Sequence, residues 1–359
     1  MFDVNGNKIP LSPAKPEYFS AKKRYSRSNP ELNNLEQYAC FIHVTDVHGD
    51  SVRLNTALDF ADDIGATAVI HTGDAVAYYG ADDFTSFTNA VNAHTTKFYN
   101  VIGNHDVNGQ NSVSAVHSKF IAPFIDANGY TVGASGENYY YHDFLNYKIR
   151  LIVLNQYQAY NNSMSVKYLE PQITWLESAL NSTPSDYGVI IAMHIPEAGV
   201  TYSEDYHAFW MDTDGRETTT KVISKVVDAF MSRTTASVAF DGFTKSVDFT
   251  SATAEFICFI NGHNHKDSIG YMDSVNTQLC LGSICTCVWT NRNRDLTPGT
   301  GYPYYNEVND MGRLEGTESE DAFNMYVVDT QNKKVRVVRI GANVANNMQE
   351  RKYLSIPYA

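Results

Sequence analysis

Apolar and polar positions along the chain follow two rhythms. Runs of strand length, rich in β-branched and aromatic residues, occupy 39–45, 66–72, 98–102, 187–194 and 252–261. Helical periodicity fills the first gaps: 52–64, with Leu54, Leu58 and Ala61 on one face, and 82–93. This β-α-β-α-β order predicts a parallel sheet with right-handed crossovers. A further helix is expected near 112–121. Then the rhythm changes to paired strands at 139–144 and 147–155, followed by an amphipathic helix at 170–180 that aligns Ile173, Leu176 and Leu180. Two more hairpins are predicted, 268–272 with 277–281, and 323–329 with 334–340.

These elements bind residues 38–345 into one domain. Residues 1–37, rich in Pro, Ser, Asn and Lys, read as an arm lying on the domain or on a neighbour, which allows self-association. Residues 346–359 read as a tail. Two stretches break the core pattern. One is 197–254, aromatic and polar with a helical segment at 218–231. The other is 290–321, which carries Pro298, Gly299, Gly301 and Pro303. Loops this long are uncommon unless they serve a site, so both are expected as a lid. Tyr202, Tyr206, Phe209 and Trp210 in the first either stack on a bound ring or pack the lid itself.

Charge and cysteine content narrow the partners. The formal net charge of −13 leaves no basic stripe for general duplex nucleic-acid binding, although a small nucleotide stays open as a ligand. No apolar stretch follows a basic start at the N-terminus, and no run approaches the roughly 18 apolar residues of a membrane helix. The five cysteines are odd in number, and some lie inside strand-like runs. Buried free thiols in a reducing, cytoplasmic compartment are the expectation. Cys285-Thr286-Cys287 lacks the second thiol pair that a structural zinc would need.

The chemistry lies where the five runs end. The first delivers Asp46 and His48, the second Asp74, and the third Asn104, His105 and Asp106. The fourth delivers His194, and the fifth His263 and His265. Ligands of open α/β sheets sit at the carboxyl ends of the strands, so these residues converge. Asp46 and His48, two apart, can face one ion. Asp74 has two oxygens with which to bridge two ions. Asn104 adds an amide oxygen and His194, His263 and His265 add imidazoles. This nitrogen and oxygen set suits two divalent or mixed-valence ions of the manganese, iron or zinc type. Two such ions about 3.5–4 Å apart can hold a phosphoryl oxygen and activate a bridging water. His43 and His71, inside strands, read as core histidines.

In this order Asp46-x-His48, Gly73-Asp74, Gly103-Asn104-His105-Asp106, His194 and Gly262-His263-x-His265 resemble the calcineurin-like metallophosphoesterase superfamily. The resemblance runs from about residue 39 to 265, and the closing hairpin fits it too. It implies an α/β fold, a four-layer β-sandwich flanked by helices, with loop and helix insertions as a lid. It also implies that Asp46, His48 and His265 bind the first metal, with Asp74 bridging, and that Asn104, His194 and His263 bind the second. By the same resemblance His105 contacts the phosphate and protonates the leaving oxygen, and Asp106 orients His105.

Two departures narrow the branch. Gly73-Asp74 is followed by Ala75-Val76-Ala77-Tyr78, without the arginine of the protein serine/threonine phosphatases. Ala77 stands where purple acid phosphatases place a tyrosine. The expectation is a phosphodiesterase acting on a small or medium phosphoester substrate. A phosphomonoesterase, or a non-catalytic structural or binding protein that kept the fold, such as a phage or cell-surface component, stands as the alternative. The acidic balance disfavours a nuclease.

Overall fold

The computed structural model describes residues 37–76, 81–107, 113–124, 131–133, 136–157, 168–197, 201–202, 221–240, 242–263, 268–272, 277–283, 286, 321–341 and 353–358. Three parallel strands open the fold: β1 (Ala39–Val44), β2 (Ala68–His71) and β3 (Phe98–Asn100). Helices α1 (Ser51–Ile64) and α2 (Ala81–Asn92) connect them. All six residues of β1 are buried, as a strand covered on both faces requires. Asp50 caps α1 by accepting from the Arg53 N–H (3.3 Å), and Gly65, at φ +65°, closes it with bonds to the Ala61 and Asp62 carbonyls. The expected helix at 112–121 is a short α3 (Val113–Val116) that widens into a π-helical turn, His117–Ile121.

The second sheet is built around β6 (Ile149–Val153), β7 (Gly188–Ala192), β11 (Glu255–Asn261) and β13 (Leu279–Gly282), all parallel. On one side of these lie β5 (Tyr140–Phe144) and β4 (Thr131–Val132). On the other lie β12 (Ser268–Tyr271) and β8 (Thr201–Tyr202), so the sheet has eight strands. Helix α4 (Glu170–Asn181) joins β6 to β7, and α5 (Val222–Ser232) lies in the β7–β11 connection. The closing hairpin, β14 (Ala322–Asp329) with β15 (Lys334–Gly341), adds to the first sheet antiparallel to β1. The two sheets pack face to face. Phe41 of β1 meets Phe144 of β5 (5.2 Å between ring centres), and the Tyr140 hydroxyl donates to the Asn100 carbonyl at 2.8 Å. Helices cover the outer faces, which gives the expected four layers.

Two elements lie outside the expected pattern. A ribbon of β9 (Thr235–Phe240) and β10 (Phe243–Asp248) occupies part of 197–254. Its signal was present as Asp241-Gly242 between two alternating runs, a strong hairpin pair. The ribbon lies against α4: the Asp248 N–H donates to Glu177 (2.8 Å), and the Phe240 ring meets Tyr168. Strand β16 (Tyr353–Pro357) pairs antiparallel with β15 and extends the first sheet. Within 197–254, then, the structure describes the short strand β8, a crossover helix and an outer ribbon. Residues 203–220 and 287–320, with Tyr206, Phe209 and Trp210 of the expected lid, lie outside the described residues. Cys40, Cys258 and Cys280 are buried free thiols. No described helix is long and apolar enough to cross a membrane.

Candidate metal centre

The carboxyl ends of β1, β2 and β3 from one sheet meet those of β7 and β11 from the other. Asp46, Asp74, Asn104, His194 and His263 lie just beyond Val44, His71, Asn100, Ala192 and Asn261. Backbone bonds align the ends: the Asp46 N–H donates to the Gly73 carbonyl (2.9 Å) and the His48 N–H to the Asp74 carbonyl (2.9 Å). Four of the eight described non-glycine residues with positive φ are expected ligands: Asp46 (51°), His48 (47°), Asp74 (59°) and His263 (70°). Each left-handed residue costs about 1–2 kcal/mol, which the surrounding packing must offset. The tight turns aim side chains of sequence neighbours into one space.

Glycines make the approach possible. A Cβ on Gly103 would collide with the Asp74 carboxylate, and one on Gly73 would lie 2.5 Å from His194 Nδ1. A Cβ on Gly262 would collide with Thr45 Oγ1 and lie 2.8 Å from Asp46 Oδ2.

Asp74 is common to two groups of donor atoms, His48–Asp74–His105 and Asp74–His194–His263. In the second group, His194 Nε2 lies 3.3 Å from Asp74 Oδ2 and 3.0 Å from Asn104 Oδ1. His263 Nδ1 lies 3.0 Å from the same Asn104 oxygen. His194 Nδ1 donates to the Thr72 carbonyl (2.6 Å), which leaves the Nε2 lone pair facing the cluster. In the first group, His48 Nε2 lies 3.9 Å from Asp46 Oδ1. Asp46 Oδ2 accepts from Thr45 Oγ1 (2.6 Å) and from the His263 N–H (3.0 Å). Its Oδ1 is therefore the oxygen turned toward His48.

The donor atoms are nitrogen and oxygen, both donor groups share Asp74, and the His194 tautomer presents a lone pair. This set fits a pair of borderline or hard cations, as the sequence predicts. His265 lies outside the described residues.

The electrostatics follow from this crowding. Burial opposes charge on His194, yet the Asp74 and Asp46 carboxylates and the Thr72 carbonyl hold its pKa up at about 9. Burial pushes Asp74 upward, but His194, His105 and His48 around it hold its carboxyl well below the usual range. The carboxylates that favour a proton on His194 Nε2 would equally favour a cation in its place, and binding one would release that proton and free the lone pair.

His105 donates its backbone N–H to Asp74 Oδ1 (2.8 Å), and its Nε2 lies 3.9 Å from Asp74 Oδ2. Its ring packs edge-on against His48 (4.8 Å), and its side chain keeps 11% exposure. Asp106 has other partners than the imidazole expected for it. Its carboxylate accepts backbone N–H groups from Asp74 (3.0 Å), Ala75 (2.9 Å), Val76 (3.3 Å) and Gly103 (2.8 Å). It holds the β2 turn to the β3 turn. Burial, with the Asp74 carboxylate beside it, pushes its pKa up to about 7.

Several residues around the centre carry no motif signal. His43 sits between the Tyr326 hydroxyl and Thr72 Oγ1, both at 2.8 Å, and so links the closing hairpin to the residue that holds His194. Glu197, just past His194, is buried and accepts the N–H groups of Ile223 and Ser224 (2.8 Å each), which anchors the start of α5. Burial pushes its pKa up to about 7.

Known proteins share the family and the fold of this chain. A sequence profile described as calcineurin-like phosphoesterase matches residues 41–220. Among solved structures, a dimetal phosphatase from Danio rerio superposes with a TM-score of 0.56 at 13% identity, covering 89% of this chain and 99% of its own. A protein from Thermus thermophilus gives a TM-score of 0.42 at 9% identity, covering 89% and 99%. Phosphopantetheinyl hydrolase from Mycobacterium tuberculosis gives 0.35 at 10% identity, covering 71% and 93%. No curated protein sequence matches the chain.

Proposed function

The chain belongs to the calcineurin-like phosphoesterase family, a family of metal-dependent phosphoester hydrolases, and on that premise we propose that this member is a phosphodiesterase acting on a small or medium substrate. The observation that carries the dinuclear part is Asp74, whose carboxylate belongs to both donor groups. Asp46, through Oδ1, His48, through Nε2, and one oxygen of Asp74 would hold the first ion, joined by His265. Asp74 Oδ2, Asn104 Oδ1, His194 Nε2 and His263 Nδ1 would hold the second. Bound there, manganese, iron or zinc ions would neutralise a phosphoryl oxygen and make an attacking water acidic enough to lose its proton near neutral pH.

The chain supplies the rest. The glycines and left-handed turns fix the donors before substrate arrives, so little reorganisation is needed. His105, partly open to solvent and itself a member of the first donor group, would give a proton to the leaving oxygen rather than bind an ion. Asp106 holds the turns that carry Asp74 and Asn104 rather than meeting substrate.

The preference for a diester rests on charge. A monoester near neutral pH approaches a dianion and gains more from an added cation than a diester does. Residues 75–80 contain no arginine or lysine. Arg216, Arg292, Arg294 and Arg313, in the expected lid stretches, lie outside the described residues. The test is kcat/KM of the manganese-loaded protein on matched nitrophenyl mono- and diesters. The diester is expected to be faster. A monoester about tenfold faster overturns the preference and points to one of those four arginines.

A further inference from the structure

The first ligand-bearing strand is held from far along the chain. Thr45, fully buried at the end of β1, accepts the Thr286 N–H at its carbonyl (2.8 Å) and donates its own N–H to Thr286 Oγ1 (3.1 Å). Thr286 is itself buried and stands in the long connection between β13 and β14. The Thr45 hydroxyl then donates to Asp46 Oδ2 at 2.6 Å. With the His263 N–H on the same oxygen at 3.0 Å, Oδ2 is committed to the protein and Oδ1 is turned toward His48.

We propose that Thr45 and Thr286 form a clamp that positions Asp46 for the first ion. The physical case has two parts. A non-glycine residue at φ 51° is strained and persists only where its surroundings hold it, and the Thr45–Thr286 pair is part of that support. A hydroxyl donating to one oxygen selects which oxygen is left to meet the metal. The inference rests on the dinuclear reading above.

The test is manganese binding to metal-free protein, by competition with a chelating dye, with electron paramagnetic resonance to tell paired from single ions. Wild type is expected to take two ions. Thr45→Val keeps the shape of the side chain and removes the hydroxyl. It should weaken one binding step by roughly 10–100-fold and leave the other unchanged, giving a single-ion spectrum at intermediate manganese. Thr45→Ser should bind like wild type. Thr286→Val, which removes the acceptor for the Thr45 N–H, should weaken the same step, and Thr286→Ser should restore it. If Thr45→Val does not fold by circular dichroism, the Thr286 pair decides. Two-ion binding by a folded valine variant within about threefold of wild type overturns the clamp. Equal weakening of both steps also overturns it, because that is loss of general structure. Wild-type protein that binds fewer than two ions overturns the dinuclear reading itself, and the clamp with it.

Discussion

His71 offers a quantitative check on how the strand ends are held. Its ring is fully buried among Phe87, Phe98 and Phe120, with centroids 5.1, 6.1 and 5.8 Å away. Neither ring nitrogen makes a well-formed hydrogen bond among the described residues, and the Asn100 side chain and the Asp46 and Asp74 carboxylates offset only part of the cost of burial. Burial therefore drives its pKa from 6.5 down to about 3. The sign follows from linkage. Above pH 6.5 the ring is neutral whether the chain is folded or unfolded. As pH falls below 6.5 the unfolded chain takes up a proton that the folded chain refuses, so stability drops until about pH 3. Between about pH 7.5 and pH 5 this one group costs about 2 kcal/mol of stability. His71→Phe suits the aromatic surroundings and cannot titrate. Urea unfolding of both proteins in chelator at the two pH values yields a double difference in which titrating groups that do not interact with His71 cancel. The variant should lose about 2 kcal/mol less than wild type on acidification. The His71 carbonyl also receives the Val101 N–H (2.8 Å), so the same experiment probes the junction of β2 and β3 that carries Asp74 and Asn104. An unchanged pH dependence would mean that His71 is solvated or bonded in solution, and the burial argument would fail.

Other perturbations separate the roles at the centre. Asp74→Asn should lose both ions by elemental analysis, since its carboxylate belongs to both donor groups. His105→Ala should keep both and lower turnover roughly 10²–10⁴-fold; loss of metal would instead make His105 a ligand. Gly262→Ala should destabilise the fold by about 1–3 kcal/mol in urea unfolding, because its Cβ would run into Thr45 Oγ1 and Asp46 Oδ2. Wild-type stability in that variant would show that the strand ends leave room for a methyl group. Tyr326→Phe should cost about 1–3 kcal/mol by leaving a buried nitrogen of His43 without its partner, and a neutral outcome would remove His43 from the support of Thr72.

Much of this protein is written locally. Apolar runs of strand length, helical periodicity between them and a polar residue past each run suffice to place β1, β2, β3, β7 and β11 and the order of the clustered polar residues from Asp46 to His263. These signals survive in one dimension because a strand buried on both faces must be apolar along its length, and because ligands collect where such strands end. Even the missed ribbon had its local mark in Asp241-Gly242. What only the tertiary structure decided are relations between distant segments. No pattern joins Thr45 to Thr286 across 241 positions, or His43 to Tyr326 across 283. The left-handed backbone at Asp46, His48, Asp74 and His263 is uncommon for non-glycine residues and has no sequence signature of its own. Which imidazole nitrogen faces the cluster depends on the carbonyl that the other one meets, as at His194 and Thr72. Asp106 shows the difference most directly. Its place in the motif suggested a partner for His105, whereas packing gave its carboxylate four backbone N–H groups from two turns. Residue type sets what a side chain is able to bind, but the assembled fold determines which groups come within hydrogen-bonding reach of it.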